Sequence, residues 1–478
     1  MILPLKFVLL AWALALAVVP SVALGATVFQ AKGDAKWPYT PWSTDGPHVK
    51  NTRGETVTIV GVNWPGSGET MIPEGLQYAS ASSIILRLGK AGFNFVRHTY
   101  AIQMIDEIYE NGGTDITIET ALKNGLGAEN GTAVLQKMLD ANKDLNWTAQ
   151  TTRLQVWDTL AKLEAENGIM MHPDNHVSKA KWCCSHFDGN AWWGDRYFDA
   201  EKWRRGLAYM ANWAKAHPNI ASMSLRNELR SAWPQNDTDQ TKVEYSWISW
   251  ASNVTAGADA IHEANKDLLI TFSGLQYDQD LSAVTQELNL NVAPSYKLDA
   301  IRDGRRRKPV HFRIDEHDWK NKAVLELHLY SMSENADTGT CEAIQAQLYN
   351  YGFNALGIDA PKGCASHEAD GDTEYHCPPA KRKTPVWLTE FGQAQDATLY
   401  NDTLTNCLRD FTVENNVGWA VWSIAGSYYA REGGQDVDDT WALLNHNWSD
   451  WRDPPTFKSF WKKWIGDMGK TNIEKGRH

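Results

Sequence analysis

The chain has 478 residues, 43% of them hydrophobic and 22% charged, with a formal net charge of −12. This is a globular composition with ample length for a large core, and an α/β barrel of this size can form a single domain. An acidic chain repels phosphate backbones and anionic bilayers, which argues against nucleic acid and membrane surfaces as partners.

In chain order, residues 1–25 read as a secretory signal. Lys6 precedes an apolar run from Phe7 to Val19, followed by Pro20 and small residues, with cleavage expected after Ala23 or Gly25. The run is short for a bilayer span, and no later segment is long and apolar enough to make one. The expected mature chain is therefore exported, extracellular and soluble, and a monomer. Six Asn-x-Ser/Thr acceptors, at Asn130, Asn146, Asn236, Asn253, Asn401 and Asn447, agree with export. So do six cysteines, Cys183, Cys184, Cys341, Cys364, Cys377 and Cys407, which an oxidising compartment would pair. Cys183 and Cys184 are adjacent, and a bridge between neighbours is strained, so each is expected to reach elsewhere.

Eight apolar runs bounded by turn residues then recur, at 57–63, 93–99, 169–176, 220–228, 268–273, 324–330, 386–391 and 419–425. Helix-period stretches lie between most of them, clearest in "SSIILRLGKAG", "TRLQVWDTLAKLEAENG", "AEKWRRGLAYMANWAKAHP" and "SWISWASNVTAGADAIHEAN". Strands alternating with crossover helices predict a parallel sheet, and eight such units close a (β/α)₈ TIM barrel. A hairpin in "VKNTRGETVTIVGVN" is expected to close its bottom. The catalytic-type domain is expected over 26–465, with a frayed polar tail over 466–478. Three connections are long. Residues 105–149 are Gly- and Asn-rich, 277–322 include "RDGRRRKP", and 334–383 carry three cysteines.

In such barrels the reacting groups stand at the C-terminal ends of the strands. Those ends carry Arg97 and His98, then Asp174, Asn175 and His176, then Asn227 and Glu228. Further on they carry His328 and Tyr330, Glu390, and Trp422. Two carboxylates, Glu228 and Glu390, are thus predicted to face each other across the mouth, which suits glycosidic cleavage. One must keep a proton for the leaving oxygen, and Arg97 and Tyr330 are available to hold the other ionised. The 23 tryptophans exceed what a core needs. Those beside Gly, Pro, Asn or His (Trp64, Trp182, Trp192, Trp193, Trp233 and Trp448) are expected to offer faces to a sugar ring.

The ordered series "GVNWPG", "FNFVRH", "PDNH", "LRNE", "LHLY", "WLTEFG" and "AVWSI" resembles glycoside hydrolase family 5, the retaining, cellulase-like barrels, from Val57 to Ile424. The resemblance implies that Glu228 is the acid/base and Glu390 the nucleophile. It implies that Asn227 binds a sugar 2-hydroxyl, and that Arg97 and Tyr330 orient Glu390. His176 and His328 would line the same subsite over a Trp422 floor. "HPDNHVSKAKWCCSHF" and "RDGRRRKPVHFRIDEHDW" depart from the simplest members and reshape the cleft. The expected substrate is a β-linked polysaccharide or oligosaccharide cut without a cofactor or metal. An endo-β-glucanase is the first expectation, and a β-mannanase or exo-acting β-glycosidase the alternative.

His172, Asp174, His176, Cys183, Cys184 and His186 also suggest a metal cluster, but export favours disulfides over thiolate ligands. A sugar-binding protein without turnover is a further alternative. Arg226 is expected to be structural, forming a salt bridge inside the barrel, since alternation turns it to the face opposite Asn227. Asp278 and Asp280 could touch substrate or cap a loop. His98 is expected to be a packed neighbour.

Overall fold

A computed structural model describes residues 37–233, 244–291, 308–330, 339–364, 377–398 and 402–475. The signal stretch, Asn236, Asn401 and most of "RDGRRRKP" lie outside them. Three short strands come first: β1 (Ser43–Asp45), β2 (His48–Lys50) and β3 (Thr56–Val57). They pair antiparallel in a small sheet, the expected hairpin with one more strand.

Eight parallel strands follow: β4 (Val60–Trp64), β5 (Phe95–Ala101), β6 (Met170–Val177), β7 (Ser222–Ser224), β8 (Leu269–Ser273), β9 (Ala323–Leu329), β10 (Val386–Phe391) and β11 (Trp419–Val421). Each falls inside or within two residues of a predicted run, because strands covered on both faces read as continuous apolar stretches. They pair in chain order, with β11 returning to β4. The seam lies between β6 and β7. Single bonds bridge it, from Met171 N to the Asn219 carbonyl at 3.1 Å and from Asn227 N to the Asn175 carbonyl at 2.9 Å. The architecture is therefore the expected (β/α)₈ barrel.

The four clearest helices form where predicted, and their ends follow capping chemistry. Ser80 accepts from Ser83 N at the start of Ala81–Ala91, and Gly92, at φ 102°, ends it. Thr152 and Gln155 make a capping box for Arg153–Glu166. The core has two parts. The larger fills the layer between strands and helices. The smaller plugs the barrel's bottom, where Trp42, Val49 and Ile59 meet the first inward side chains of the strands, among them Phe95, Met170, Leu269 and Trp387.

Two expectations about the outer chain are corrected. The 105–149 stretch holds helices Ile118–Leu126 and Ala128–Ala141 rather than loop. Gly131 serves packing there, since a Cβ on it would lie 2.7 Å from the Leu122 backbone of the preceding helix. The helix Lys462–Lys475 runs through the supposed frayed tail, with Met468 buried beside Trp464.

Candidate active site

Alternation turns every second residue of a barrel strand inward. On β4 this face carries Gly61 and Asn63, where a Cβ at Gly61 would sit 2.4 Å from the Phe95 carbonyl oxygen, so the close strand approach requires glycine. β5 contributes Arg97, and β6 contributes His172, Asp174 and His176. β9 contributes Glu326 and His328, with Tyr330 one step beyond. β10 breaks the alternation: its register with β9 shifts between Leu388 and Glu390. Consecutive Thr389 and Glu390 therefore both reach the interior, as a bulge allows. Thr389 donates to Glu326 Oε2 at 3.1 Å, and Tyr330 donates to Glu390 Oε2 at 3.0 Å.

Arg97 is the hub of this interior. Its guanidinium is fully buried and binds a Glu390 oxygen, Asp174 Oδ1 at 2.9 Å, Asn63 Oδ1 at 3.0 Å and Asn227 Oδ1 at 2.9 Å. Such a fork addresses four acceptors in fixed directions, which the three donors of a lysine could not. Burial pushes the Asp174 carboxyl up, but Arg97 and the His176 ring outweigh it and hold Asp174 below the usual carboxylate range. His176 Nδ1 lies 2.7 Å from Asp174, and the same ring stacks on Trp422 with centroids 5.4 Å apart.

Glu228 stands just past β7 with φ at +46°, a left-handed backbone rare for a residue bearing a Cβ. Its Oε1 lies 3.1 Å from His328 Nδ1. Carboxylate oxygens of Glu228 and Glu390 lie within 4.8 Å of each other and of a His328 ring nitrogen. The two acids differ in surroundings. Burial raises the Glu228 carboxyl above its ordinary value, against Arg230, His176 and Arg97. Glu390 instead accepts from the Arg97 cation and the Tyr330 hydroxyl. Burial, with Glu390 and Glu228 nearby, keeps Tyr330 a phenol, and burial drops His328 to about 3, so that ring is neutral. A carboxyl that burial makes slower to give up its proton, beside one that accepts from a cation and a phenol, can address the two ends of a single bond.

A cleft of about 1130 Å³ opens over this pair, lined by Glu228, Glu390, Asn227, His176, Tyr330 and Trp422. Arg97 and His328 stand behind these residues, so the structure assembles the predicted polar set in one place. Trp182 also lines the cleft, held between the Arg431 guanidinium 3.6 Å from its ring and Tyr428. Trp233 lines it too, 50% exposed and stacked at 4.1 Å on His186.

Four predicted aromatic contacts are corrected. Trp64 is fully buried outside the barrel, because alternation turns it opposite to Asn63; it stacks on His98 and donates to the Glu74 carbonyl at 3.0 Å. Trp192, Trp193 and Trp448 are core residues as well. The cysteine expectation is also overturned. Cys183 and Cys184 bridge each other, while Cys341 pairs with Cys407 and Cys364 with Cys377. The adjacent pair forms a wall of the cleft over Asn227, whose amide nitrogen lies 3.6 Å from Cys184 Sγ. With these sulfurs joined, the suggested metal cluster loses its thiolates. His172 is deep in the barrel beside Ser222, and burial lowers its imidazole to about 3.

Arg226 is structural as expected, but through the Asn190 carbonyl, Ser178 and the Phe198 ring rather than a carboxylate. His98 is a packed neighbour, 2.7 Å from buried Glu164. Site residues not singled out from sequence include Asn63 and Glu326. Glu326 was within reach of sequence reasoning, since "ELHLY" places it on one face with His328 and Tyr330.

A (β/α)₈ barrel with a paired-carboxylate cleft at its C-terminal mouth defines the class of this protein. The comparisons narrow it. The chain is 30% identical over 420 residues to a "Glycosyl hydrolase 5 family protein" of Chamaecyparis obtusa, covering 85% of this chain and 62% of that protein. It thus spans about three fifths of that relative's length. The resemblance to glycoside hydrolase family 5 is borne out, and the chain is a relative of that family. No family profile matches the chain. Among solved structures, an endocellulase of Pyrococcus horikoshii in complex with cellotetraose superposes with a TM-score of 0.57 at 16% identity, over 91% of this chain and 99% of that one. The catalytic domain of the major endoglucanase of Xanthomonas campestris gives 0.57 at 15% identity, over 89% and 99%. A β-glucanase of Saccharophagus degradans gives 0.53 at 14%, over 93% and 98%. At these identities the structural likeness speaks for the barrel alone.

Proposed function

We propose that the protein is an exported, retaining glycoside hydrolase that cuts internal bonds of a β-linked glucan by double displacement. In the first step Glu390 attacks the anomeric carbon while Glu228 gives its proton to the departing oxygen, breaking the glycosidic bond. In the second, Glu228 takes a proton from water as that water displaces Glu390 and frees the sugar. Asn227 and His176 hold the ring over Trp422, and Arg97 and Tyr330 align Glu390. The observation that carries this reading is the approach of Glu228 and Glu390 oxygens to within 4.8 Å. Retaining enzymes hold their carboxyl groups about 5–5.5 Å apart, and inverting ones leave about 6.5–9.5 Å for a water.

The glucan assignment draws on the structural neighbours, among them an endocellulase, an endoglucanase and a β-glucanase. The aromatic residues along the cleft support a sugar-chain ligand. Three disulfides and the exposed acceptors Asn130, Asn146 and Asn447 support export. We also propose a monomer, which a sedimentation run checks.

The test is hydrolysis of cello-oligosaccharides followed by NMR, with mannan and short mannosides in parallel. The expected first product is the β-anomer, with internal bonds cut before chain ends. Fresh α-anomer would refute double displacement. Preference for mannan would redirect the substrate. A Glu228→Gln variant with unchanged turnover would leave only a sugar-binding role.

A further inference from the structure

We infer that Asp278 is the positioning residue for Glu228: its buried carboxyl clamps the Glu228 peptide and so aims the proton-donating side chain. The inference rests on the acid/base role proposed for Glu228. Three observations carry it.

Glu228 occupies a backbone region that a side-chain-bearing residue avoids, so something must hold it there. Its two peptide groups are gripped from opposite sides. The carbonyl accepts from Arg230 Nη1 at 2.8 Å, and the N–H donates to Asp278 Oδ2 at 3.0 Å.

Asp278 is itself rigidly mounted. It ends a run of three left-handed residues, Gln276 at φ 53°, Tyr277 at 59° and Asp278 at 60°. Gln276 N donates to the Tyr245 hydroxyl at 2.9 Å, Tyr277 N to the Leu229 carbonyl at 3.2 Å, and His328 N to the Asp278 carbonyl at 3.0 Å. A turn this unfavourable for residues other than glycine ties the ends of β7, β8 and β9 together around one carboxyl. Capping of the following loop falls to Asp280, whose Oδ1 accepts from Ser282 N at 2.9 Å.

Finally, Asp278 is fully buried and stands behind the cleft rather than in its lining, so it acts through Glu228 and not on substrate. Burial, with Glu326 and Glu228 adding to it, pushes its carboxyl well above the usual range. The clamp needs only an acceptor oxygen facing the Glu228 N–H, so an asparagine of the same shape can replace it, and a leucine of nearly the same shape cannot.

The test compares Asp278→Asn and Asp278→Leu, with Glu228→Gln in parallel. kcat/KM is measured on a cello-oligosaccharide, whose leaving group needs a proton, and on a 2,4-dinitrophenyl β-cellobioside, whose leaving group does not. The asparagine variant is expected within about threefold of the parent on both. A misplacement of order 1 Å costs about 100-fold, so the leucine variant is expected to lose about 100-fold on the oligosaccharide and less than about 10-fold on the activated glycoside. Equal losses on both substrates, or no loss, overturn the inference while leaving the acid/base reading intact if Glu228→Gln shows the leaving-group dependence. If Glu228→Gln shows none, both readings fall together. Should the leucine variant not fold, Asp278→Ala takes its place. If neither folds, Asp278 is a structural residue and the inference fails.

Discussion

Replacing Arg97 by methionine is the most severe single test of this interior. The guanidinium is fully buried and is the shared cation of two carboxylates, Asp174 at 2.9 Å and Glu390. Methionine fills similar space and leaves both acids without it. Removing one partner of a buried pair costs about 3–5 kcal/mol. The figure applies once rather than twice, because one stranded carboxylate can relieve the site by taking up a proton. Lysine keeps the charge but not the fork. It abandons the Asn63 and Asn227 oxygens, each worth about 1 kcal/mol as a hydrogen bond, so Arg97→Lys should lose about 2 kcal/mol. The pH dependence carries a sign. Asp174 sits below its unfolded value, so its stabilisation is present above about pH 4 and fades only as pH falls through the lower folded value. Without Arg97, burial raises it instead, and it binds a proton in mild acid. The deficit of Arg97→Met against the parent should therefore narrow between pH 7 and pH 4.5. Denaturant unfolding at the two pH values measures this, and turnover is expected to fall at least about 100-fold in the same variant, because Glu390 loses its alignment. A methionine variant within about 1 kcal/mol of the parent at pH 7, or a deficit that widens in acid, would refute the hub.

Three further outcomes follow from neighbouring residues. Burial raises Glu326 to about 7, so the folded protein retains a proton that the unfolded chain releases above about 4.3. This group thus costs stability as pH rises from there to about 7, and Glu326→Gln should gain on the parent between pH 5 and pH 8 in denaturant unfolding; a constant difference would contradict it. With Glu228 raised by burial, the alkaline limb of the kcat/KM–pH profile should lie above the ordinary carboxylate range of about 4.3, and a limb at that value would show Glu228 unperturbed. Gly61→Ala should destabilise by about 1–3 kcal/mol or more, since its Cβ meets the Phe95 carbonyl at 2.4 Å; an unchanged melting temperature would mean that β4 and β5 pack less closely than described.

The eight strands were legible because a parallel barrel buries both faces of each, leaving apolar runs that end where the chemistry begins. Arg97, Asn227, Glu228, His328, Tyr330 and Glu390 could be placed together for the same reason, as residues at equivalent strand ends. Alternation could also have excluded Trp64, the immediate neighbour of inward-facing Asn63. The helices of 105–149 were hidden by glycine and asparagine: Gly131 serves a close helix crossing, while Gly112, Gly113 and Gly127 take positive-φ positions between the helices. Asp278 was visible as a residue but not as a clamp, since its turn holds three left-handed positions without a glycine. The bridge between Cys183 and Cys184 depends on how one long loop folds over the cleft, and neighbouring cysteines carry no signal for that.

The packed floor formed by Trp42, Val49 and Ile59 has a consequence for traffic through the molecule. The ring of strands is a cul-de-sac, so nothing can be drawn through it as through a pore. A long ligand must be laid across the rim and lifted off again on the same side. Grip on such a ligand therefore depends on the rings that line the cleft, Trp182 and Trp233 among them, and not on encirclement by the barrel wall.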